Sequence, residues 1–214
     1  MKKEGIKEIF SEFKKLLHNK YFYLGAIILL VGELANFLAQ NYLYKYYLSG
    51  KNFPVLSDFL FNIIPYYNLT LFYNFLVIIS LFVFLIYVVS KKKYNEIPFY
   101  LAIFGLFYIV RGIFVILNPY ANPPEFIGVS KIFDISSRVQ MGLYPSGHTG
   151  SAILYLLFAK GPYRLIFFIF ATIIILGLLI SRAHYSIDIF SGIIFAYALY
   201  SFGKSYLKNF IKND

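Results

Sequence analysis

The chain holds only three His in 214 residues, and two of them stand where hydrophobic runs begin. His148 lies in Pro145-Ser146-Gly147-His148-Thr149. His184 lies in Ser181-Arg182-Ala183-His184-Tyr185-Ser186-Ile187-Asp188. Asp188 follows His184 by four residues, a spacing that puts both side chains on one face of a helix. The carboxylate can then accept from one ring nitrogen and leave the other unprotonated toward a substrate, as a nucleophile or general base requires. A Pro then a Ser ahead of a helical run marks a helix N-terminus. Free N–H groups and the positive dipole end suit a phosphate there. Gly147 permits close backbone approach, Ser146 adds a hydroxyl donor, and His148 in the first turn is placed to protonate a leaving oxygen. Alone, each segment also reads as plain structure, an interfacial His–Asp hydrogen bond in one case and a turn into a helix in the other. Together, with Arg and Lys nearby, they form a set suited to phosphoryl transfer at a membrane.

Composition supplies the membrane. The chain is 59% hydrophobic, 21% aromatic and 14% charged, against about 25% charged in soluble domains. Long runs of Ile, Leu, Phe and Val argue for an integral membrane protein of several spans. The chain has no Cys, which excludes a disulfide framework and a thiolate metal site. The first apolar run is too long for a signal-peptide core and has no small-residue cleavage site after it, so it reads as a retained span. The net charge of +10 lies mostly in loops beside spans. There it sets topology and meets anionic headgroups rather than nucleic acid.

These elements must position the chemistry. Residues 1–20 form a basic amphipathic segment, with Ile6, Ile9, Phe10, Phe13, Leu16 and Leu17 at helical spacing among lysines. It reads as a helix lying on the membrane surface, with a solvated leader as the alternative. Six spans follow, at about 21–44, 69–90, 98–117, 147–160, 163–181 and 184–203. The expected fold is therefore an all-α integral membrane protein, one six-transmembrane-helix bundle over 21–214 behind an N-terminal surface helix. The fourth span is short, and its end depends on a turn at Lys160-Gly161-Pro162.

Basic residues crowd one side of this arrangement: the N-terminal lysines, Lys91 to Lys93, Lys160, Arg164, Lys204, Lys208 and Lys212. The other side has only Lys45, Lys51, Lys131, Arg138 and Arg182. The bias predicts both termini in the cytoplasm of a cell-membrane protein. It also predicts that His148 and His184 face each other on the outer side, at the outer ends of the fourth and sixth spans. The pocket is expected to open sideways, because a lipid tail must stay in the bilayer while its headgroup reacts. Glu33 and Arg111 both fall inside spans, where charges are costly and usually paired. An ion pair between them is favoured over contact with a headgroup. Asp58 is expected to cap a short helix on the outer surface, with a headgroup contact as the alternative. The 21 Tyr and 25 Phe read as packing and interfacial belt residues.

The two His segments resemble the type-2 phosphatidic acid phosphatase superfamily, whose motifs are Lys-x6-Arg-Pro, Pro-Ser-Gly-His and Ser-Arg-x5-His-x3-Asp. The chain is more closely similar to the sphingomyelin synthase branch. That branch has Ser-Gly-His-Thr where this chain has Ser146 to Thr149, and His-Tyr-Thr-x-Asp where it has His184-Tyr185-Ser186-Ile187-Asp188. Pro54 to Asp58 with Ile64-Pro65, and Tyr108 to Arg111 followed by Asn122-Pro123-Pro124, are similar to that branch's upstream segments. The likeness runs in order from about residue 50 to 200. Lys131 and Arg138 keep the Lys-x6-Arg spacing, with Val139 in place of Pro. The superfamily's Arg six residues before the second His is Leu178 here, and Arg182 stands two before His184. The synthase branch's Asp four residues before the Ser is Gly142.

The resemblance implies a metal-independent membrane lipid phosphatase acting through a phosphohistidine on a lipid phosphate or diphosphate. His184 would be the nucleophile, Asp188 its orienting partner, and His148 the acid and then the base. Ser146, Gly147, Lys131, Arg138 and Arg182 would hold phosphate oxygens. No metal or organic cofactor is implied. A phosphotransferase moving a phospho-headgroup between lipids is the alternative. A non-catalytic lipid transporter of the same fold is the third reading.

Overall fold

The protein is described here by a computed structural model covering residues 3–127 and 141–211. Among these residues the chain is helical, with no strand. A first helix, α1 (Lys3–Leu16), is followed by α2 (Lys20–Leu48), α3 (Phe59–Ile63), α4 (Thr70–Ser90) and α5 (Ile97–Leu117). After the undescribed segment come α6 (Gly147–Phe158), α7 (Pro162–Ile180) and α8 (Ser186–Tyr206). The boundaries follow from local chemistry. Asn19 accepts from the Tyr21 N–H at 2.9 Å and starts α2. Pro162 opens α7 where its missing N–H costs nothing, behind Gly161 at φ 60°. Ser146 caps α6, its Oγ accepting from the Thr149 N–H at 3.3 Å.

Among the described residues, five helical stretches are long and apolar enough to cross a membrane: Lys20–Leu48, Thr70–Ser90, Tyr94–Leu117, Pro162–Ile180 and Ser186–Tyr206. Their outer faces carry large apolar groups in the open, with Leu30 69%, Phe75 64% and Phe190 62% exposed. Water tolerates no such continuous apolar surface, whereas a bilayer does. The interior is held by close backbone contact. A Cβ on Gly105 of α5 would lie 2.5 Å from the Ile28 carbonyl carbon of α2, so α2 and α5 pack at the distance that small residues allow.

The expected fourth span differs from the rest. It is α6, a helix of 12 residues, about 18 Å long at 1.5 Å per residue. A hydrocarbon core of about 30 Å is out of its reach alone. One whole face of it is buried, including Thr149, Ala152, Leu154 and Phe158, and it packs against α4, α5, α7 and α8. Gly192 of α8 lies against the Ser146 carbonyl and the Gly150 nitrogen. Thus α6 begins beside the second turn of α8 rather than level with its first residue.

Candidate active site

The two His segments meet. The His148 and His184 ring centroids are 5.8 Å apart, with the planes at 69°. His184 lies in the short connection between α7 and α8 and is only 3% exposed, while His148, in the first turn of α6, is partly open. Asp188 Oδ2 lies 3.2 Å from His184 Nδ1 and accepts from the Tyr185 N–H at 3.0 Å. Its carbonyl accepts from the Ser146 N–H at 3.0 Å, which ties the second His segment directly to the first. The i, i+4 reading of His184 and Asp188 therefore gives the right contact, although His184 itself precedes the helix.

Two partners had no signal in the sequence motifs. Tyr120, from the loop after α5, donates its hydroxyl to Asp188 Oδ1. Burial, and then the Asp188 carboxylate, push the Tyr120 phenol well above its ordinary range, so it stays a donor at neutral pH. Asn74, in α4, meets His148 Nε2 through its Oδ1 at 3.0 Å. Both come from elements remote in sequence, and no spacing rule could have found them. Tyr120→Phe takes from the fully buried Asp188 Oδ1 its hydroxyl partner and is expected to lower stability by about 1–3 kcal/mol. A thermal melt in detergent would check it.

Arg111 is buried at 4% exposure and its guanidinium reaches three acceptors. Nε donates to the Pro145 carbonyl at 2.9 Å, Nη2 to the Gly142 carbonyl at 3.0 Å, and Nη1 to Asn36 Oδ1. The expected Arg111–Glu33 ion pair is not formed. Asn36, one turn further along α2, takes the guanidinium, and Glu33 is exposed with no ion pair among the described residues. A Cβ on Gly147 would lie 3.3 Å from Arg111 Nε, so a fixed positive charge sits directly beneath the N-terminus of α6. Such a charge adds to the helix dipole in favouring an anion.

The other expected phosphate ligands divide. Ser146 is fully buried and its Oγ serves as the α6 cap, leaving its O–H as a donor. The N–H groups of Gly147 and His148 fall in the first turn of α6, where a helix has no internal acceptor for them. Arg182 does lie in a sharp turn, at φ 46°, but its guanidinium turns to other partners. It donates to Glu125 and, at 2.8 Å, to the Phe61 carbonyl, and stacks over the Phe61 and Tyr66 rings. Leu178 is fully buried in an apolar cluster with Tyr73 and Ile174, so no cation can occupy that position. Lys131 and Arg138 lie outside the described residues.

Asp58 caps α3, its Oδ1 accepting from the Leu60 N–H at 3.0 Å as expected. It also accepts from the Ser186 N–H and, at 3.1 Å, from the Ser186 hydroxyl. The segment ahead of α3 is further pinned by the Tyr185 hydroxyl to the Leu56 N–H at 3.3 Å. Asp58 therefore braces the His184 turn from outside. Beside that turn, Leu60, Ile175, Leu179, Ile187 and Phe190 line an apolar groove of about 440 Å³. Among the described residues no cluster of three or more His, Cys, Asp or Glu could hold a metal ion.

Comparison with family models, with curated proteins and with solved structures finds no match for this chain.

Proposed function

We propose that this protein is a metal-independent membrane lipid phosphatase working through a phosphohistidine. The observation that carries the reading is the meeting of His148 and His184, with Asp188 on the far nitrogen of His184, at the N-terminus of a helix underlain by Arg111. His184 Nε2 attacks phosphorus as the ester P–O bond breaks, and His148 gives its proton to the leaving alcohol. Water then attacks the phosphohistidine, giving a proton to His148 and freeing His184 and inorganic phosphate. Charge on the phosphoryl oxygens is met by Arg111, the Ser146 hydroxyl and the first N–H groups of α6. The lipid tail occupies the apolar groove beside the His184 turn, so the headgroup enters from the bilayer side. α1 lies on the cytoplasmic surface, both termini are cytoplasmic, and the site faces outward.

Hydrolysis is favoured over headgroup transfer by the backbone at Gly142. The synthase branch carries an Asp at that place. Gly142 sits at φ 75°, and a Cβ would lie 2.5 Å from Val115 Cγ1. No carboxylate fits there without moving the loop that Arg111 holds. Gly142→Ala is expected to lower stability by about 1–2 kcal/mol through left-handed backbone strain alone, and more if Val115 cannot yield. A thermal melt in detergent would check it. The reading as a whole is tested by phosphate release from a panel of lipid phosphates with EDTA present. Release that survives chelation is the expected result. No release, with product formed only when an acceptor alcohol is added, would turn the reading to the transferase.

A further inference from the structure

The two histidines meet their acceptors through different ring nitrogens, and the residue that faces His148 is Asn74. The assignment follows from what each atom can do. Asn74 Nδ2 donates to the Thr70 carbonyl at 2.7 Å. A carbonyl only accepts, so this end of the amide is the nitrogen, and the end facing His148 is the oxygen. That Oδ1 lies 3.0 Å from His148 Nε2. An amide oxygen also only accepts, so Nε2 carries a hydrogen and, in the neutral ring, the lone pair is on Nδ1. The Tyr73 ring stands edge-on to His148 at 5.7 Å and 86°, which restrains the imidazole from turning over. His184 is the reverse case. Its Nδ1 faces the Asp188 carboxylate, an acceptor, so its hydrogen is on Nδ1 and its lone pair on Nε2.

We propose that Asn74 is a positioning residue that locks His148 as the Nε2–H tautomer and so makes Nδ1 the atom that exchanges protons with substrate. The tautomer stands on the hydrogen bonds alone; its use in turnover rests on the lipid phosphatase reading. In the first step the bound phosphate monoanion passes its proton to Nδ1, so that His148 is doubly protonated beside the dianion. As the His184 Nε2–P bond forms and the P–O ester bond breaks, the Nδ1 proton passes to the leaving oxygen. His148 is left neutral, with Nε2–H still bonded to Asn74. In the second step Nδ1 takes a proton from water as the new P–O bond forms and the N–P bond breaks. The Asn74 contact is kept in both states, so no side chain need rearrange between the half-reactions. A neutral amide does this without adding a second carboxylate to the site of an anionic substrate.

The test is ¹⁵N NMR of protein labelled at the histidine ring nitrogens in detergent micelles, at a pH where the rings are neutral. The His148 signals are assigned by their loss in His148→Ala. The expected result is a protonated Nε2 and a bare Nδ1 for His148, the opposite pattern for His184, and tautomer averaging at His148 in Asn74→Leu. Asn74→Asp, which keeps an acceptor, should keep the wild-type pattern. A protonated Nδ1 in wild-type His148, or an unchanged spectrum in Asn74→Leu, would overturn the proposal. In turnover, Asn74→Leu should lower kcat about tenfold or more with KM unchanged, and Asn74→Asp should recover part of it. The NMR needs no substrate. A correct tautomer with no phosphatase activity would sink the functional reading and leave the positioning geometry; activity with the wrong tautomer would do the reverse.

Discussion

Replacing His184 with alanine is expected to reduce phosphate release from a lipid phosphate by at least about a thousandfold, to the background rate. The effect should be nearly pure chemistry. Asp188 would still accept from the Tyr120 hydroxyl and the Tyr185 N–H, so the carboxylate is not left bare. Asp58 would still hold Ser186, so the turn between α7 and α8 keeps its brace. The void left by one imidazole next to partly open His148 can admit water rather than remain an empty cavity. The melting temperature in detergent should accordingly move by only a few degrees. Retained phosphate release in folded His184→Ala protein would remove His184 from the chemistry.

Arg111→Met is expected to cost the fold as well as the activity. The guanidinium joins α2, α5 and the loop ahead of α6 at one point, through Asn36, Gly142 and Pro145. Methionine matches much of its length but donates nothing. The buried Gly142 and Pro145 carbonyls would be stranded, while Asn36 Oδ1 would keep only the Gln40 amide at 3.4 Å, a loss on the order of 3 kcal/mol. The anion site would also lose the charge beneath Gly147. Arg111→Lys should restore the charge but not the fork, since one ammonium cannot span three acceptors on different elements. It is expected to recover part of the stability and little of the turnover. Melting curves and kinetics on the three proteins separate these outcomes. Equal stability of wild type and Arg111→Met would show that the three hydrogen bonds hold nothing together.

The sequence carried the framework because the hydrophobic runs are long and their breaks carry Pro, Gly and capping residues. The helix starts at Ser146, Pro162 and Asn19 each have a local chemical cause, and so are readable in the chain. The contact of His148 with His184 was legible for a similar reason: two apolar runs between them return the chain to the same end of the bundle. The shortness of α6 is legible too, since Lys160-Gly161-Pro162 ends the apolar run two residues past Phe158, where the helix stops. The partner of Arg111 is not. Charge matching pointed to Glu33, but the guanidinium needs acceptors at three separate places, and Asn36 with two backbone carbonyls offers that geometry. Tyr120 and Asn74 were hidden for a different reason. A lone Tyr among 21 and a lone Asn in an apolar helix acquire meaning only when folding sets them against Asp188 and His148.

The central claim is a covalent phosphoryl group on His184, and it can be looked for directly. The protein is mixed with a lipid whose terminal phosphate carries ³²P, quenched in alkali within the first turnovers, and its labelled peptide identified by mass spectrometry. The account predicts an alkali-stable, acid-labile adduct on His184 that forms before free phosphate appears and is absent from His184→Ala. Free phosphate released with no adduct at any quench time, or an adduct on a residue other than His184, would contradict it.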